Sequence, residues 1–473
     1  MPTTNGNRKI LDLKRWEFMA PALSASGLFG STCRHVKQSV FAFTSATVAS
    51  IYWPDEDSWT NLASPALATS AAGACIVSHT WSTGSTVAAA SLTATGGSTS
   101  TIITNQNLQR DLRGYRVHIL SGPNAGVTLT ISSNTLGTNA TITVPVQASA
   151  FTASTVYRLL TPRWYLFGAG TLAAGSFRVY DWATNTYTSL STTGLPASFG
   201  TDGALVSTPS WLDSNYKNFA TGTATSATGT TIVQTGKTWT ASQWINFQVR
   251  ITAGTGAGQI RTITANTADT LTVATWTTTP DATSQYSIEG NDDFLYLMGN
   301  GAVAMYRYSI SGNSWTTLSP VSARASAPGA GMSGHWVNDV SETDWTNESA
   351  IINGRRIYSF RGAAGSGLDY YDIAANTWVA QVYSPSGETF STGSAHAYYG
   401  DRLYCQKENT GRWFAYDFAK AELVPWSTML YPQSTAGSGS KVFIVVYIDG
   451  STYIPYVHMV LNQLTIHLRQ MVI

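Results

Sequence analysis

Four histidines stand where a metal site would first be sought. His35, His79, His335 and His396 each come shortly after a glycine (Gly30, Gly73, Gly331 and Gly393) on or beside short strands of small residues. Convergent imidazoles are common ligands of zinc and copper. These four lie 5, 6, 4 and 3 residues beyond their glycines. Side chains along a strand alternate between faces, so the four share neither one height nor one face. No carboxylate recurs beside them. They are expected to be polar lining residues, with no metal and no cofactor.

The acidic clusters Asp55-Glu56-Asp57 and Asp292-Asp293 raise glycoside hydrolysis, which needs a pair of carboxylates. The first falls within a turn between strands and the second just ahead of a strand, where Asp is an ordinary turn former. Solvated turns are expected. The stretch GTGAG (254–258) has the glycine density of a phosphate cradle, but a cradle needs a helix N-terminus directly after it. The next residues but one, IRTITANTADTLTV, alternate as a strand does, and GPNAG (122–126) occupies the same place in a second copy. Gly122, Gly126, Gly254 and Gly258 therefore read as hairpin turns and as candidate interaction loops. Ser, His and Asp are present, yet no G-x-S-x-G elbow stands in a strand–turn–helix setting. No catalytic residue is expected.

The elements that would carry these residues are β-strands. At 473 residues the chain exceeds what one hydrophobic core supports. Its net charge is +1 with 11% charged residues, so no basic face advertises nucleic acid and no acidic tail advertises disorder. Aromatics reach 12%, and Thr, Ser, Asn and Gly supply much of the polarity, a mixture that suits strands and turns. No apolar stretch is long enough for a transmembrane helix, and the start MPTTNGNRKILDLKRWEF has no apolar signal core, so neither anchor nor leader is expected. Cys33, Cys75 and Cys405 are far apart and fit no zinc spacing, which suits folding in a reducing cytoplasm.

A repeat organises the strands. Seven residues separate Tyr52 from Trp59, Tyr180 from Tyr187, Tyr308 from Trp315, Tyr371 from Trp378 and, more weakly, Tyr416 from Leu423. In a hairpin that interval puts one large side chain on each paired strand, a pairing worth roughly 0.2–1 kcal/mol. Apolar strands precede each copy (39–45, 164–170, 293–299, 356–362, 402–408), and glycine-rich small-residue strands precede most of those, as in GACIVSH, GALVST, GMSGHWV and GSAHAYYG. Four strands per unit ending on an aromatic hairpin is the pattern of a propeller blade. The tail 441–473 supplies three more alternating strands, and KILDLKRWEFM (9–19) supplies a fourth that would close the ring. The expected fold is all-β, a propeller with six blades favoured.

With its Gly168-Ala-Gly170 and Gly299-Asn-Gly301 before a Tyr and a later aromatic, the chain resembles the kelch family over five units. The fifth unit departs from the family's double glycine. Kelch-like propellers include galactose oxidase, whose copper site uses two Tyr, two His and a Tyr–Cys link. No motif here fixes such a set, and tyrosines packing the blades are the favoured reading.

The intervals Tyr52 to Tyr180 and Tyr180 to Tyr308 are both 128 residues, against 63 and 45 for the next two. The long intervals hold insertions at matching points between the first and second strands of their blades. Val117/Val249, Ile119/Ile251, Gly122/Gly254, Ala125/Ala257 and Gly126/Gly258 repeat at an offset of 132. The insertions read as two small homologous all-β insert domains. The expected organisation is residues 1–81 (closing strand, blade 1 and the first strand of blade 2), 82–160 (first insert), 161–217 (rest of blade 2, start of blade 3), 218–290 (second insert) and 291–473 (blades 3–6).

The run GAGQIRTI…NT…LTV…W resembles a module of tailed-bacteriophage virion proteins. That resemblance implies a virion structural protein folded in the host cytoplasm, in the tail or head-to-tail region. It further implies a nozzle-like homo-oligomeric ring beside portal, adaptor or tail proteins, through which phage DNA passes transiently. The alternative is a receptor-binding, glycan-binding or capsid-decorating protein using a blade-4 loop, HWVNDVSETDWTNE, with Trp336 and Trp345. A galactose-oxidase-like enzyme is a remote third.

Overall fold

The computed structural model describes residues 17–18, 28–34, 38–45, 48–53, 56–62, 67, 75–82, 91–200, 203–207, 219–299, 302–327, 329, 335–337, 356–362, 367–382, 388–391, 394–399, 402–407, 412–418, 422–428, 441–449, 452–461 and 466–471. Among them every regular element is a β-strand.

Five antiparallel meanders succeed one another. The first is Leu28–Arg34, Gln38–Ser45, Val48–Trp53 and Ser58–Asn61, and the second is Cys75–Ser82, Val156–Phe167, Phe177–Asp181 and Thr186–Ser189. The third is Gly203–Ser207, Phe294–Gly299, Met305–Ser309 and Ser314–Thr317, and the fourth is His335–Val337, Arg356–Phe360, Gly367–Asp372 and Thr377–Val382. The fifth is Ala395–Tyr399, Arg402–Gln406, Arg412–Asp417 and Glu422–Thr428. A sixth sheet joins Lys441–Asp449, Thr452–Leu461 and Ile466–Met471 to Glu17–Phe18, with Glu17 opposite Arg469 and Phe18 opposite Leu468.

The first strands of successive sheets touch one another in chain order, and Lys441–Asp449 touches Leu28–Arg34 to close the cycle. Six sheets arranged in this way form a β-propeller, and drawing the outer strand of the last sheet from the beginning of the chain locks the ring.

Each pair set by the seven-residue interval is a register pair. Tyr52 lies opposite Trp59, Tyr180 opposite Tyr187, Tyr308 opposite Trp315, Tyr371 opposite Trp378 and Tyr416 opposite Leu423. A second rule is superimposed. The hydroxyls of Tyr52, Tyr180, Tyr308 and Tyr371 donate to Asp57, Asn185, Asn313 and Asn376, five residues on, at 2.7–2.8 Å. Those acceptors have φ of 44°, 52°, 45° and 48°, the left-handed region that Asn and Asp tolerate better than other residues with a side chain. The same turns also hold neighbouring sheets. Asn313 Oδ1 accepts from Ser191 N at 2.9 Å, Asn376 Nδ2 donates to Ser319 O at 2.8 Å, and Trp315 Nε1 donates to Ser191 O at 2.9 Å. Between sheets 2 and 3 the apolar core stacks Phe167 and Phe177 against Leu205, Leu297, Tyr308 and Trp315.

Two modules interrupt sheets 2 and 3. In the first, Arg116–Ser121 pairs with Thr128–Thr130 and with the beginning of Val156–Phe167, beside a four-stranded sheet of Ser133–Asn134, Thr141–Thr143, Thr101–Ile103 and Gly96–Gly97. In the second, Gln248–Ala253 lies between Gln285–Glu289 and Ile260–Asn266, in a sheet continuing through Thr270–Val273, Thr231–Val233 and Ser226–Thr228. The registers correspond. Val117 faces Leu159 as Val249 faces Ile288, Ile119 faces Tyr157 as Ile251 faces Tyr286, and both strands carry a bulge directly afterwards.

The modules join the propeller differently. Val156–Phe167 runs unbroken from module 1 into sheet 2, pairing with Arg116–Ser121 at one end and Cys75–Ser82 at the other. In module 2 the corresponding path breaks after Glu289, where Asn291 Oδ1 accepts from Asp293 N at 3.1 Å before Phe294–Gly299 begins.

Candidate functional site

Where the two modules meet the propeller, charged groups that the sequence scatters over more than a hundred residues come together out of water. Arg158, from the continuous strand of module 1, lies 4.0 Å from Asp292, in the break after module 2, and both are buried. His79 Nε2 is 2.6 Å from the Asp292 carbonyl oxygen, tying the first strand of sheet 2 to the same break. Arg250 holds Glu289 through two nitrogens, Nη2 at 2.7 Å and Nε at 3.1 Å from Oε1. Arg163 and Asp181, both buried, are 3.4 Å apart within sheet 2.

Burial raises the Glu289 carboxyl pKa, and Arg250 opposes that rise. Burial likewise lowers the pKa of Arg158, against the pull of Asp292 and Asp293. His118, on module 1, is pushed down to about 4, chiefly by burial and further by the positive Arg158 and Arg250. These guanidinium–carboxylate pairs compensate one another's desolvation. Breaking one by removing a single partner leaves a buried charge with that cost uncompensated.

The histidines singled out by sequence do not converge. His79 is held by the Asp292 carbonyl and lies near the Tyr165 ring. His396 stacks on Phe360 at 4.6 Å and abuts Phe390 in sheet 5. His335 is placed by its backbone opposite Tyr358 in the first strand of sheet 4, and His35 lies outside the described residues. Both His79 and His396 are buried among neighbours. Among the described residues no group of three or more His, Cys, Asp or Glu side chains is placed to hold a metal ion.

The expectation of solvated acidic turns needs correcting at Asp292 and Asp293. Asp292 is 2% exposed and belongs to the junction. Asp293 accepts from Ser311 N at 2.7 Å and from the Ser309 and Ser311 hydroxyls at 2.8 and 3.0 Å, fastening a turn of sheet 3. Asp57 is the partner of Tyr52 and is exposed. Cys75 and Cys405 are buried.

The glycine positions are hairpin tips with φ of +87° at Gly122, +86° at Gly126, +77° at Gly254 and +89° at Gly258. In both copies the second glycine donates its N–H back across the hairpin at 2.8 Å, Gly126 to Ile119 O and Gly258 to Ile251 O. Trp336, expected in a loop, is instead a strand residue with its Cα opposite Ile357. Trp345 lies outside the described residues.

Sequence reasoning missed the charge junction. The one signal available was that Asp292, Asp293 and Glu289 crowd the end of the second insertion, and their partners Arg158 and Arg250 could not be assigned from spacing.

The fold defines this chain as a β-propeller carrying two inserted β modules. No family model and no curated protein matches it. Solved structures similar to it include YjhT, at 13% identity and TM-score 0.30 over 63% of this chain and 68% of that one. A variant of the Aleuria aurantia lectin in complex with α-methyl-L-fucoside is similar at 9% identity and TM-score 0.37, over 94% of this chain and 90% of that one. Phage phi92 endosialidase is similar at 11% identity and TM-score 0.28, over 94% of this chain and 53% of that one. These likenesses concern the fold alone.

Proposed function

We propose that this protein is a structural component of a tailed-bacteriophage virion: a kelch-like six-bladed propeller bearing two homologous phage-type β modules. Its place is the tail or head-to-tail region, as a nozzle-like ring former beside portal, adaptor or tail proteins. The observation that carries the reading is the duplicated module, with corresponding register and bulge in both copies, seated on adjacent blades over one buried charge junction. Such seating fixes two copies of a surface on one disc, as a protein that organises neighbours in a particle requires. The small net charge of +1 suits a ring that lets DNA pass without gripping it.

Antibody-gold labelling of intact particles, with negative-stain imaging, tests the proposal. Label confined to the tail or the neck is the expected result. Purified particles that contain none of this chain would overturn it.

A further inference from the structure

We infer that the contact between the two modules of one chain recurs between chains, the module 1 hairpin of one copy seating on the Gln248–Ala253 strand of module 2 in a second copy. The inference deepens the ring-forming role proposed above, and it rests on that reading for its setting in a particle.

Within one chain the modules meet through unlike surfaces. Module 2 offers its hairpin, since a β-carbon placed on Gly258 would lie 3.5 Å from the Leu120 carbonyl oxygen in the Arg116–Ser121 strand of module 1. The matching glycine of module 1, Gly126, has no atom within 4 Å of such a β-carbon. The contact is therefore hairpin to strand, and one of each remains over. The module 1 hairpin is exposed from Ala125 to Thr128, and Thr252, which stands in module 2 where Leu120 stands in module 1, is exposed too. Contacts between unlike surfaces leave complementary ends, and repetition builds a ring or a filament.

The side chains of the hairpins support the same pairing. In module 2, Gln259 folds back to donate to Gly256 O at 3.1 Å and Thr278 O at 2.8 Å, covering its own hairpin. The corresponding residue of module 1 is Val127, which is 36% exposed. Leu136 and Val146, 62% and 75% exposed, lie in the same module, which thus holds three of the five large apolar residues exposed among the described ones. Of these, Val127 stands at the hairpin itself, uncovered where Gln259 covers its counterpart, and seating it on a second copy would remove that apolar side chain from water.

Sedimentation of the full-length chain distinguishes the surfaces. Wild type, Val127→Asp, Thr252→Arg and an equimolar mixture of the two variants are compared, with thermal melts to verify folding and Val127→Thr as a milder substitute if Val127→Asp does not fold. Wild type is expected to form oligomers and each variant alone to be monomeric. The mixture is expected to form one-to-one dimers and nothing larger, because each variant keeps the surface that the other has lost. A monomeric wild type, variants that associate as wild type does, or a mixture without dimers would overturn the inference. Particle labelling separates the two claims: labelled particles with a monomeric chain remove this contact alone, whereas unlabelled particles with the expected mixing remove the virion assignment alone.

Discussion

Tyr308 donates its hydroxyl hydrogen to Asn313 Oδ1 at 2.7 Å, and the same oxygen accepts from Ser191 N at 2.9 Å, so one amide closes a hairpin of sheet 3 and fastens it to the exit of sheet 2. Tyr308 is fully buried, and burial raises its phenol pKa, so the hydroxyl stays a donor through the neutral range. Tyr308→Phe removes one hydrogen bond and is expected to cost about 1 kcal/mol. Asn313→Ala leaves the buried hydroxyl and the Ser191 N–H unanswered and puts Ala at φ 45°, for an expected loss of about 2–4 kcal/mol. Urea unfolding of both variants and the double mutant checks the coupling. Additive losses would show that the two residues do not act together.

The Arg250–Glu289 pair makes an asymmetric prediction. Glu289 is fully buried, and its partner is partly exposed. Arg250→Met abandons a buried carboxylate and should destabilise by about 3–5 kcal/mol, whereas Arg250→Met with Glu289→Leu should recover most of that loss. Urea midpoints of the three proteins settle the comparison. A double variant no more stable than Arg250→Met would refute this account of the junction.

His118 makes a prediction in pH. Its pKa in the folded chain is about 4 against 6.5 for a free histidine, with burial the main cause and Arg158 and Arg250 adding to it. Between those two values the unfolded chain binds the proton and the folded chain does not, so stability rises with pH across that window. The contribution is complete above pH 6.5 and is lost as pH falls toward about 4, a change on the order of 3 kcal/mol. His118→Gln cannot titrate and should flatten that part of the stability–pH curve. An unchanged slope between about pH 6.5 and about pH 4.5 would count against burial of the neutral ring.

The sheets were legible because their rule is local. The seven-residue aromatic interval reports two paired strands and a turn, and Tyr52, Tyr180, Tyr308 and Tyr371 all sit opposite the partner the interval names. The acceptor five residues after each of them was equally visible as Asp57, Asn185, Asn313 and Asn376, a signal the aromatic spacing overshadowed. The charge junction was hidden for a different reason. His79 finds its partner 213 residues away on a main-chain carbonyl, and carboxylates beside a turn look solvated until a distant arginine covers them. Local pattern fixes strands, whereas burial of charge depends on which distant elements pack together.

The hairpin glycines predict unequal costs for one substitution. Gly126 and Gly254 have similar φ, +86° and +77°, so alanine carries a conformational cost of about 1–2 kcal/mol at either. Around Gly126 there is open space. At Gly254 the added methyl would overlap the Thr283 carbonyl and crowd Ser284 Cα at 2.9 Å, both of them backbone atoms that cannot swing aside. Gly254→Ala should therefore destabilise by several kcal/mol more than the conformational term alone, on the order of the strain of overpacking. It should also speed amide exchange along Gln248–Ala253 and Gln285–Glu289, the strands the hairpin registers. Gly126→Ala should cost about the conformational term and leave the exchange of Arg116–Ser121 nearly unchanged. Hydrogen exchange on the two variants reads both effects, and equal losses would mean that the Gly254 hairpin does not sit against Thr283.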